Sequence, residues 1–222
     1  MIDWFVGILQ EMGATLRLPV TFVVIEFIGT FAFAISGVRL SSAKRFDIFG
    51  AWIVGMATAI GGGTLRDIML GVNPFWMTNS SYFICCAMAV VCVMAFGKHL
   101  IHTTNTLFIF DTIGLALFNV IGIEKTLAMG HPWWMAISMG AITGAGGGVV
   151  RDVLMSEVPL IFRSEIYAVA CVVGGLIYSI CVHTGMSVEI SAMLSSFAVI
   201  IIRVLAVKYH WHLPTLKGED ND

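Results

Sequence analysis

Charged residues are scarce in this sequence. Aspartate, glutamate, lysine and arginine make up 12% of its 222 residues, whereas soluble chains contain about 25%. Hydrophobic residues account for 58%, and the mean hydropathy is +0.92. Several windows of roughly twenty residues carry few or no charges, which is the length that crosses about 30 Å of hydrocarbon. The composition excludes a soluble globular protein and predicts a single membrane domain over residues 1–222.

Other absences exclude further classes of protein. No basic run suggests nucleic acid as a partner, and the net charge of −2 selects no partner. The five cysteines lie in apolar runs without a Cys-x-x-Cys spacing, which is typical of small buried side chains and not of a metal or redox site. No nucleophile with a base, phosphate loop or metal-ligand spacing is present. We therefore expect no enzyme activity, no cofactor and no metal.

One seven-residue pattern occurs twice in the chain, 85 positions apart. Residues 61–67 read GGGTLRD and residues 146–152 read GGGVVRD. Self-similarity at a fixed offset indicates an internal duplication. The same offset, without a gap, pairs Glu26 with Asp111, Gly55 with Gly140, Thr58 with Thr143 and Tyr82 with Tyr167.

Apolar segments separated by polar turns predict seven transmembrane helices. Each copy of the repeat holds three of them, in about 20–97 and 105–183, and a seventh helix follows at about 187–207. Because three is odd, the second copy must enter the membrane upside down. The predicted fold is thus an all-α integral membrane protein with an inverted 3+3 repeat and one added helix. The predicted spans are residues 20–38, 48–71, 81–97, 105–123, 133–156, 165–183 and 187–207.

The lysines and arginines of the connecting segments are unevenly distributed. Seven fall on one side of the membrane, and Arg17 and Lys125 fall on the other. By the positive-inside rule the richer side is cytoplasmic. We expect the protein to lie in the inner membrane of the cell, with its N-terminus outside and its C-terminus in the cytoplasm. The richer side contains Arg39, Lys44, Arg45, Lys98, Arg163, Lys208 and Lys217.

The two glycine triplets predict weak points in helices 2 and 5. Three consecutive glycines weaken a helix by about 3 kcal/mol relative to alanine, so we expect both helices to be broken there. A break exposes carbonyl groups that suit a cation and amide groups that suit an anion. Close helix packing is the alternative role for small residues. The triplets are Gly61, Gly62 and Gly63, and Gly146, Gly147 and Gly148.

Several ionisable residues fall inside the predicted spans, where a charge facing lipid costs about 2.5–3.5 kcal/mol or more. Adjacent residues on a helix point about 100° apart, so we expect the two Arg-Asp motifs to pair across the repeat axis or with the acidic residues of spans 1 and 4. They would form either a gate or a structural ion-pair network. Arg203 is expected to extend to the cytoplasmic face. The predicted ion pathway and gate contain, besides the glycines, Glu26, Arg66, Asp67, Asp111, Arg151 and Asp152.

The twinned GGGxxRD pattern in a small seven-span chain resembles the prokaryotic branch of the TRIC family, the trimeric intracellular cation channels. The likeness covers about residues 20–208. It implies a homotrimer with one potassium-permeable pore in each protomer, and helices 2 and 5 kinked at their glycines. Animal members also engage phosphoinositide through a lysine-bearing motif. No lysine falls inside the predicted spans, so that regulation is not expected here.

Two functions remain open from the residues, and the first is favoured. The chain would be a passive channel for potassium or other monovalent cations, surrounded by membrane lipids, with carbonyls and carboxylates stabilising the ion. The alternative is a secondary transporter of a small zwitterionic amino acid such as glycine, with an arginine holding the carboxylate. Related bacterial sequences have also been named glycine transporters. A purely structural membrane scaffold would leave the double glycine motif unexplained.

Overall fold

The computed structural model describes residues 19–102, 106–163 and 166–214, with the side chains of residues 98–102 left out. Seven helices of 16 to 24 residues fill these ranges. Each begins within three residues of its predicted start, and α1, α3 and α4 continue five residues beyond their predicted ends. The helices are α1 (Val20–Ala43), α2 (Ile48–Met69), α3 (Ser81–His102), α4 (Thr106–Ala128), α5 (Trp133–Leu154), α6 (Ala168–His183) and α7 (Val188–Lys208).

Several helices of the described ranges have the length and composition of membrane spans. In the described ranges α1, α2, α4 and α7 are long and apolar enough to cross a membrane, with mean hydropathies between 1.5 and 2.3. The apolar parts of α3 and α6 are shorter. Helices α1 and α4 lie at the centre of the bundle, where α1 packs on α2 and α3, and α4 packs on α5 and α7. The prediction of an all-α membrane protein is therefore confirmed.

The packing between helices repeats at the same 85-residue offset as the sequence. Where α1 crosses α4, Gly29 faces the ring of Phe118, and the equivalent Gly114 faces the ring of Phe33. The two rings stack with centroids 5.4 Å apart. Contacts that exchange in this way are those expected around an approximate two-fold axis, and the stacked rings lie on that axis.

The backbone of the turns repeats as well. Arg45 and Gly130, which are 85 positions apart, both have positive φ, at 58° and 81°. Gly71 and Ser156, again 85 apart, have φ of 71° and 55°. Because an L-residue with a side chain adopts this left-handed conformation rarely, its presence at Arg45 and Ser156 shows that the turn geometry belongs to the repeat and not to glycine alone.

Corresponding helices of the two copies run in opposite directions. Lys44, in the turn between α1 and α2, pairs with Glu157 just beyond the end of α5 at 2.9 Å. The start of α2 therefore lies at the same end of the bundle as the end of α5. Conversely, Asp67 near the end of α2 pairs with Lys125 near the end of α4, close to the start of α5.

The prediction that helices 2 and 5 are broken is wrong for this conformation. Helix α2 runs without interruption through Gly61 to Gly63, and α5 runs through Gly146 to Gly148. The triplets instead allow the two helices to touch backbone to backbone. A Cβ atom at Gly62 would overlap the carbonyl oxygen of Thr143.

The packing explains why the glycines do not interrupt the helices. A Cβ at Gly147 would overlap the carbonyl oxygen of Thr58, and one at Gly146 would lie 3.0 Å from the Cα of Gly62. Dispersion contacts between closely approaching backbones drive association of helices in lipid, and this offsets the low helix propensity of glycine. Each glycine of a triplet therefore makes a close packing contact, and none marks a break in its helix.

We predict that Gly62→Ala destabilises the protein by about 1–3 kcal/mol, which is typical of overpacking, because its new methyl group would force the backbones of α2 and α5 apart. Gly61→Ala is the matched control, since the atoms nearest to its methyl group would belong to the side chain of Val150, at 3.1 Å, and not to a backbone. Thermal unfolding in detergent measures both. Equal melting temperatures for the two variants would contradict a backbone contact at Gly62.

Candidate functional site

Buried charged residues from the two copies form two separate clusters. Cluster 1 contains Glu26, Arg66, Asp67, Tyr82 and Lys125. Arg66 Nε donates to Asp67 Oδ1 at 2.7 Å, and Lys125 Nζ lies 2.9 Å from the same oxygen. The hydroxyl of Tyr82 donates a hydrogen bond to Glu26 Oε2 at 2.9 Å. The cluster joins both copies, because Lys125 comes from α4 and the other four residues come from α1, α2 and α3.

Cluster 1 is incompletely paired. Glu26 and Arg66 are both 0% exposed. Within the described residues, Arg66 Nη1 and Nη2 and Glu26 Oε1 have no hydrogen-bond partner. Burying such groups without partners costs several kcal/mol. The unpaired donors and the unpaired acceptor therefore mark a place where another partner or another conformation is favoured.

Cluster 2 contains Ser36, Asp111, Arg151, Asp152, Tyr167 and Arg203. Every guanidinium nitrogen of Arg151 is paired: Nη1 donates to Asp111 Oδ1 and Ser36 Oγ, both at 2.6 Å. Its Nε and Nη2 lie 2.8 Å from Asp152 Oδ1. Charge-assisted bonds of this length are among the strongest in proteins. Arg151 thereby links α5 to α1 and α4.

Arg203 from α7 adds a second cation to cluster 2. It is 1% exposed, and its Nη2 lies 3.8 Å from Asp111 Oδ2. Its guanidinium lies over the rings of Tyr167 and Phe108, at 4.7 and 5.1 Å from their centroids, and such stacking stabilises a cation away from water. The expectation that Arg203 extends to the membrane surface is therefore wrong, because a carboxylate and two rings hold it inside the bundle.

Each cluster contains two carboxylates and two cations. In cluster 1 the second cation is Lys125, and in cluster 2 it is Arg203, so formal charge balances in both. Neither cation belongs to the repeated pattern, since the residue equivalent to Lys125 is Leu40. Balanced charge is what allows groups of this kind to stay inside a membrane-spanning bundle.

The predicted pairing of the arginines is partly wrong. Both arginines contact the aspartate next to them in sequence, because the long, flexible arginine side chain folds back toward its neighbour. The pairing of Arg151 with Asp111 is confirmed at 2.6 Å. The equivalent pairing of Arg66 with Glu26 is absent from the described structure, where Glu26 bonds only to Tyr82.

The structure corrects the position of Lys125. The sequence predicts it in a connecting segment, but it lies inside α4 and is 6% exposed. The adjacent Glu124 is also paired, because it accepts a hydrogen bond from the hydroxyl of Tyr178. The predicted span ends before Glu124 and Lys125 because they are two adjacent charges. Both can lie inside the helix because each has a partner on another helix. Counting acids and bases around each motif would have identified Lys125, since one arginine cannot balance two carboxylates.

The third glycine of each triplet lies against its own cluster. A Cβ at Gly148 would overlap the hydroxyl of Tyr167 and lie 3.3 Å from Asp111 Oδ1. A Cβ at Gly63 would overlap the ring of Phe75, whose backbone N–H donates to Asp67 Oδ2 at 2.9 Å. The helix crossing and the clusters are therefore packed together, so movement of α2 against α5 would displace the charged side chains of both clusters.

Beyond cluster 2, a surface contact holds the end of α5. Lys44 Nζ pairs with Glu157 and donates to the backbone carbonyl of Met155. The hydrogen bond from Lys44 and its positive charge hold the pKa of the Glu157 carboxyl below its ordinary value. Both side chains are more than a third exposed, so the pair contributes little to stability.

Comparison with known proteins identifies the family. A family model described as "Glycine transporter" matches residues 23–98 and again residues 108–183, two matches that are 85 positions apart. A UPF0126 membrane protein of Vibrio cholerae is 41% identical over 196 residues, covering 86% of this chain and 81% of that protein. The UPF0126 inner membrane protein YadS of Escherichia coli is 35% identical over 200 residues, covering 89% and 97%.

A solved structure extends the likeness to channels. The TRIC trimeric intracellular cation channel orthologue from Rhodobacter sphaeroides superposes with a TM-score of 0.82 at 30% identity, covering 87% of this chain and all of that one. The fold and the paired charge clusters thus define an all-α membrane protein with a duplicated core. The chain belongs to the prokaryotic TRIC family, and the UPF0126 membrane proteins are its relatives.

We predict that Lys125→Met destabilises the protein by about 3 kcal/mol, because it leaves the carboxylates of cluster 1 in excess inside the bundle. Combining it with Asp67→Asn should recover part of the loss, as a double-mutant cycle would show. Thermal unfolding in detergent gives the values.

Lys44→Met, which removes an exposed ion pair, is the matched control and should change stability by less than about 1 kcal/mol. Additive losses from Lys125→Met and Asp67→Asn would contradict the bridge between α4 and α2.

Proposed function

We propose that this protein is a passive channel for potassium and other monovalent cations in a bacterial inner membrane. The observation that carries the proposal is the likeness, along nearly the whole chain, to the solved cation channel of Rhodobacter sphaeroides. The inner membrane protein YadS supports the location. By the same likeness the protein assembles as a homotrimer with a pore in each protomer.

The proposed topology has seven spans, with the two copies of the repeat inverted in the membrane. The opposite directions of α2 and α5 support the inversion. In this arrangement cluster 1 lies toward the outside and cluster 2 toward the cytoplasm, and the C-terminus is cytoplasmic. Arg17 and Lys217, which contributed to the predicted orientation, lie outside the described residues, as does the side chain of Lys98.

The proposed ion path follows the region between the two clusters, past the crossing of α2 and α5. Four carboxylates provide the negative charge that stabilises a cation, and the basic residues beside them limit how freely those carboxylates can reach the ion. Close contact at the glycine triplets, together with the stacked Phe33 and Phe118 rings, favours a closed path in this conformation. Opening then requires movement of α2 against α5. The carboxylates belong to Glu26, Asp67, Asp111 and Asp152.

The alternative is a secondary transporter of a small zwitterion such as glycine. The name of the matching family model and the unpaired Arg66 nitrogens favour it, because a guanidinium with free donors recognises a carboxylate. Opposite helix directions in two inverted copies also suit alternating access. The likeness to a solved cation channel along nearly the whole chain favours the channel, so the transporter is the second candidate.

Reconstitution into lipid membranes separates the two functions. We expect discrete single-channel currents in symmetric potassium chloride, with a reversal potential in a salt gradient that follows the cation. Uptake of labelled glycine into liposomes from the same preparation should not exceed that of empty liposomes. Saturable glycine uptake without unitary currents would overturn the channel in favour of the transporter.

We predict that Arg151→Lys changes the open probability by roughly tenfold, which corresponds to about 1.4 kcal/mol. Lysine keeps the charge but cannot reach Ser36, Asp111 and Asp152 at once. Bilayer recordings measure the change, and Arg163→Lys, at an exposed arginine, is the matched control. An unchanged open probability combined with loss of the trimer would assign Arg151 a structural role only.

A further inference from the structure

The two charge clusters occupy equivalent positions in the repeat, but they differ in state. Asp111 and Arg151 of cluster 2 correspond to Glu26 and Arg66 of cluster 1, each pair 85 positions apart. Tyr167 and Tyr82, also equivalent, each hydrogen-bond to the acidic residue of their pair, at 3.3 and 2.9 Å. The acidic anchors are thus built alike in both halves.

The difference lies in the arginines. Arg151 reaches its acidic partner at 2.6 Å and has all three nitrogens paired. Arg66 does not reach Glu26, and the atoms that would join them are Nη1, Nη2 and Oε1, which are the unpaired buried atoms of cluster 1. The bridge that is closed in one half is therefore open at the equivalent place in the other half.

Residue identities favour this difference in the conformation seen here. The serine that accepts a hydrogen bond from Arg151 corresponds to Ile121 in the other half, so Arg66 has no hydroxyl partner. Lys125 instead shares the Asp67 oxygen that Arg66 contacts. Arg66 is thereby held by one bonded nitrogen, whereas Arg151 is held by three.

We propose that the protein has two states in which these bridges alternate, so that closure of Arg66 onto Glu26 accompanies release of Arg151 from Asp111. The structure described here is the state that is closed at cluster 2 and open at cluster 1. In transporters with inverted repeats, one repeat moves against the other to open the two sides in turn, and two equivalent bridges allow the same alternation here. The α2–α5 crossing couples them, because the third glycine of each triplet packs against its own cluster.

This proposal deepens the proposed function, since it assigns gating to these two pairs. It also explains why Arg66 Nη1 and Nη2 and Glu26 Oε1 are buried without partners. These donors and this acceptor already lie inside the bundle, and the second state pairs them with each other without any added molecule. A small molecule bridging Arg66 and Glu26 is the competing explanation, and hydrogen–deuterium exchange with and without added glycine distinguishes the two.

Hydrogen–deuterium exchange of the full-length protein in lipid nanodiscs tests the alternation without requiring conduction. Asp111→Asn weakens the bridge of cluster 2, so we expect faster exchange at residues 148–157 and slower exchange at residues 63–72. Each change should be about fivefold or more, as is typical of coupled sites. Ser36→Ala removes a single hydrogen bond to Arg151 and should act in the same direction with a smaller effect, which covers a failure of Asp111→Asn to fold.

The reciprocal sign is the decisive result. Glu26→Gln should leave residues 148–157 as protected as in the wild type or more so, because it removes the partner needed in the second state. Glu124→Gln is the matched control, since its carboxylate pairs with Tyr178 outside both clusters, and it should change neither range. Faster exchange in both ranges for Asp111→Asn, or no change at residues 63–72, would overturn the alternation. Slower exchange at residues 63–72 of the wild type when glycine is added would also overturn it, because a ligand would then bridge Arg66 and Glu26.

Single-channel recording then separates this proposal from the proposed function. Asp111→Asn and Glu26→Gln should shift the open probability in opposite directions. Reciprocal exchange without any conductance would keep the two states and reject the channel. Conductance without reciprocal exchange would keep the channel and reject the alternation.

Discussion

The contact between α2 and α5 at Gly62 and Gly147 is the constraint on which the rest of the structure depends. It brings the two copies together along their approximate axis with no side chain between the backbones. A side chain at either position would separate the helices and with them the residues at their ends. The Arg-Asp motifs follow the glycines within one turn, so the position of each cluster is set by this crossing.

Charge balance is the second condition, and it acts across the two copies. Each Arg-Asp motif brings one cation, while the acidic residue of α1 or α4 adds a second carboxylate. The missing cation comes from outside the repeated pattern, through Lys125 in one half and Arg203 in the other. The repeat therefore gives the clusters their common frame, and residues outside the repeated pattern make the two halves different.

The sequence predicts the helices, the duplication and most of the buried charges, because these depend on hydrophobic length, spacing and the high energy of a charge in lipid. It does not predict continuous helices at the triplets. Helix propensity is a property of one segment, whereas the stabilising contact comes from the other copy. For the same reason the sequence does not place Lys125 inside a helix, since only the position of Asp67 shows that its charge can be buried. The pairing of Arg66 with Asp67 also depends on how a long side chain folds, which an ideal helical projection ignores.

The continuous helices change how the glycines would serve a channel. A permanent break would supply fixed carbonyl groups for an ion, whereas an intact helix offers none at its centre. The glycine contacts are instead the place where the proposed opening moves α2 against α5. If ions pass near this crossing, the carboxylates of the two clusters must provide most of the attraction, and the glycines must provide the movement. The geometry places charge at the ends of the crossing and closely packed glycines at its centre, and the proposed gate would use both.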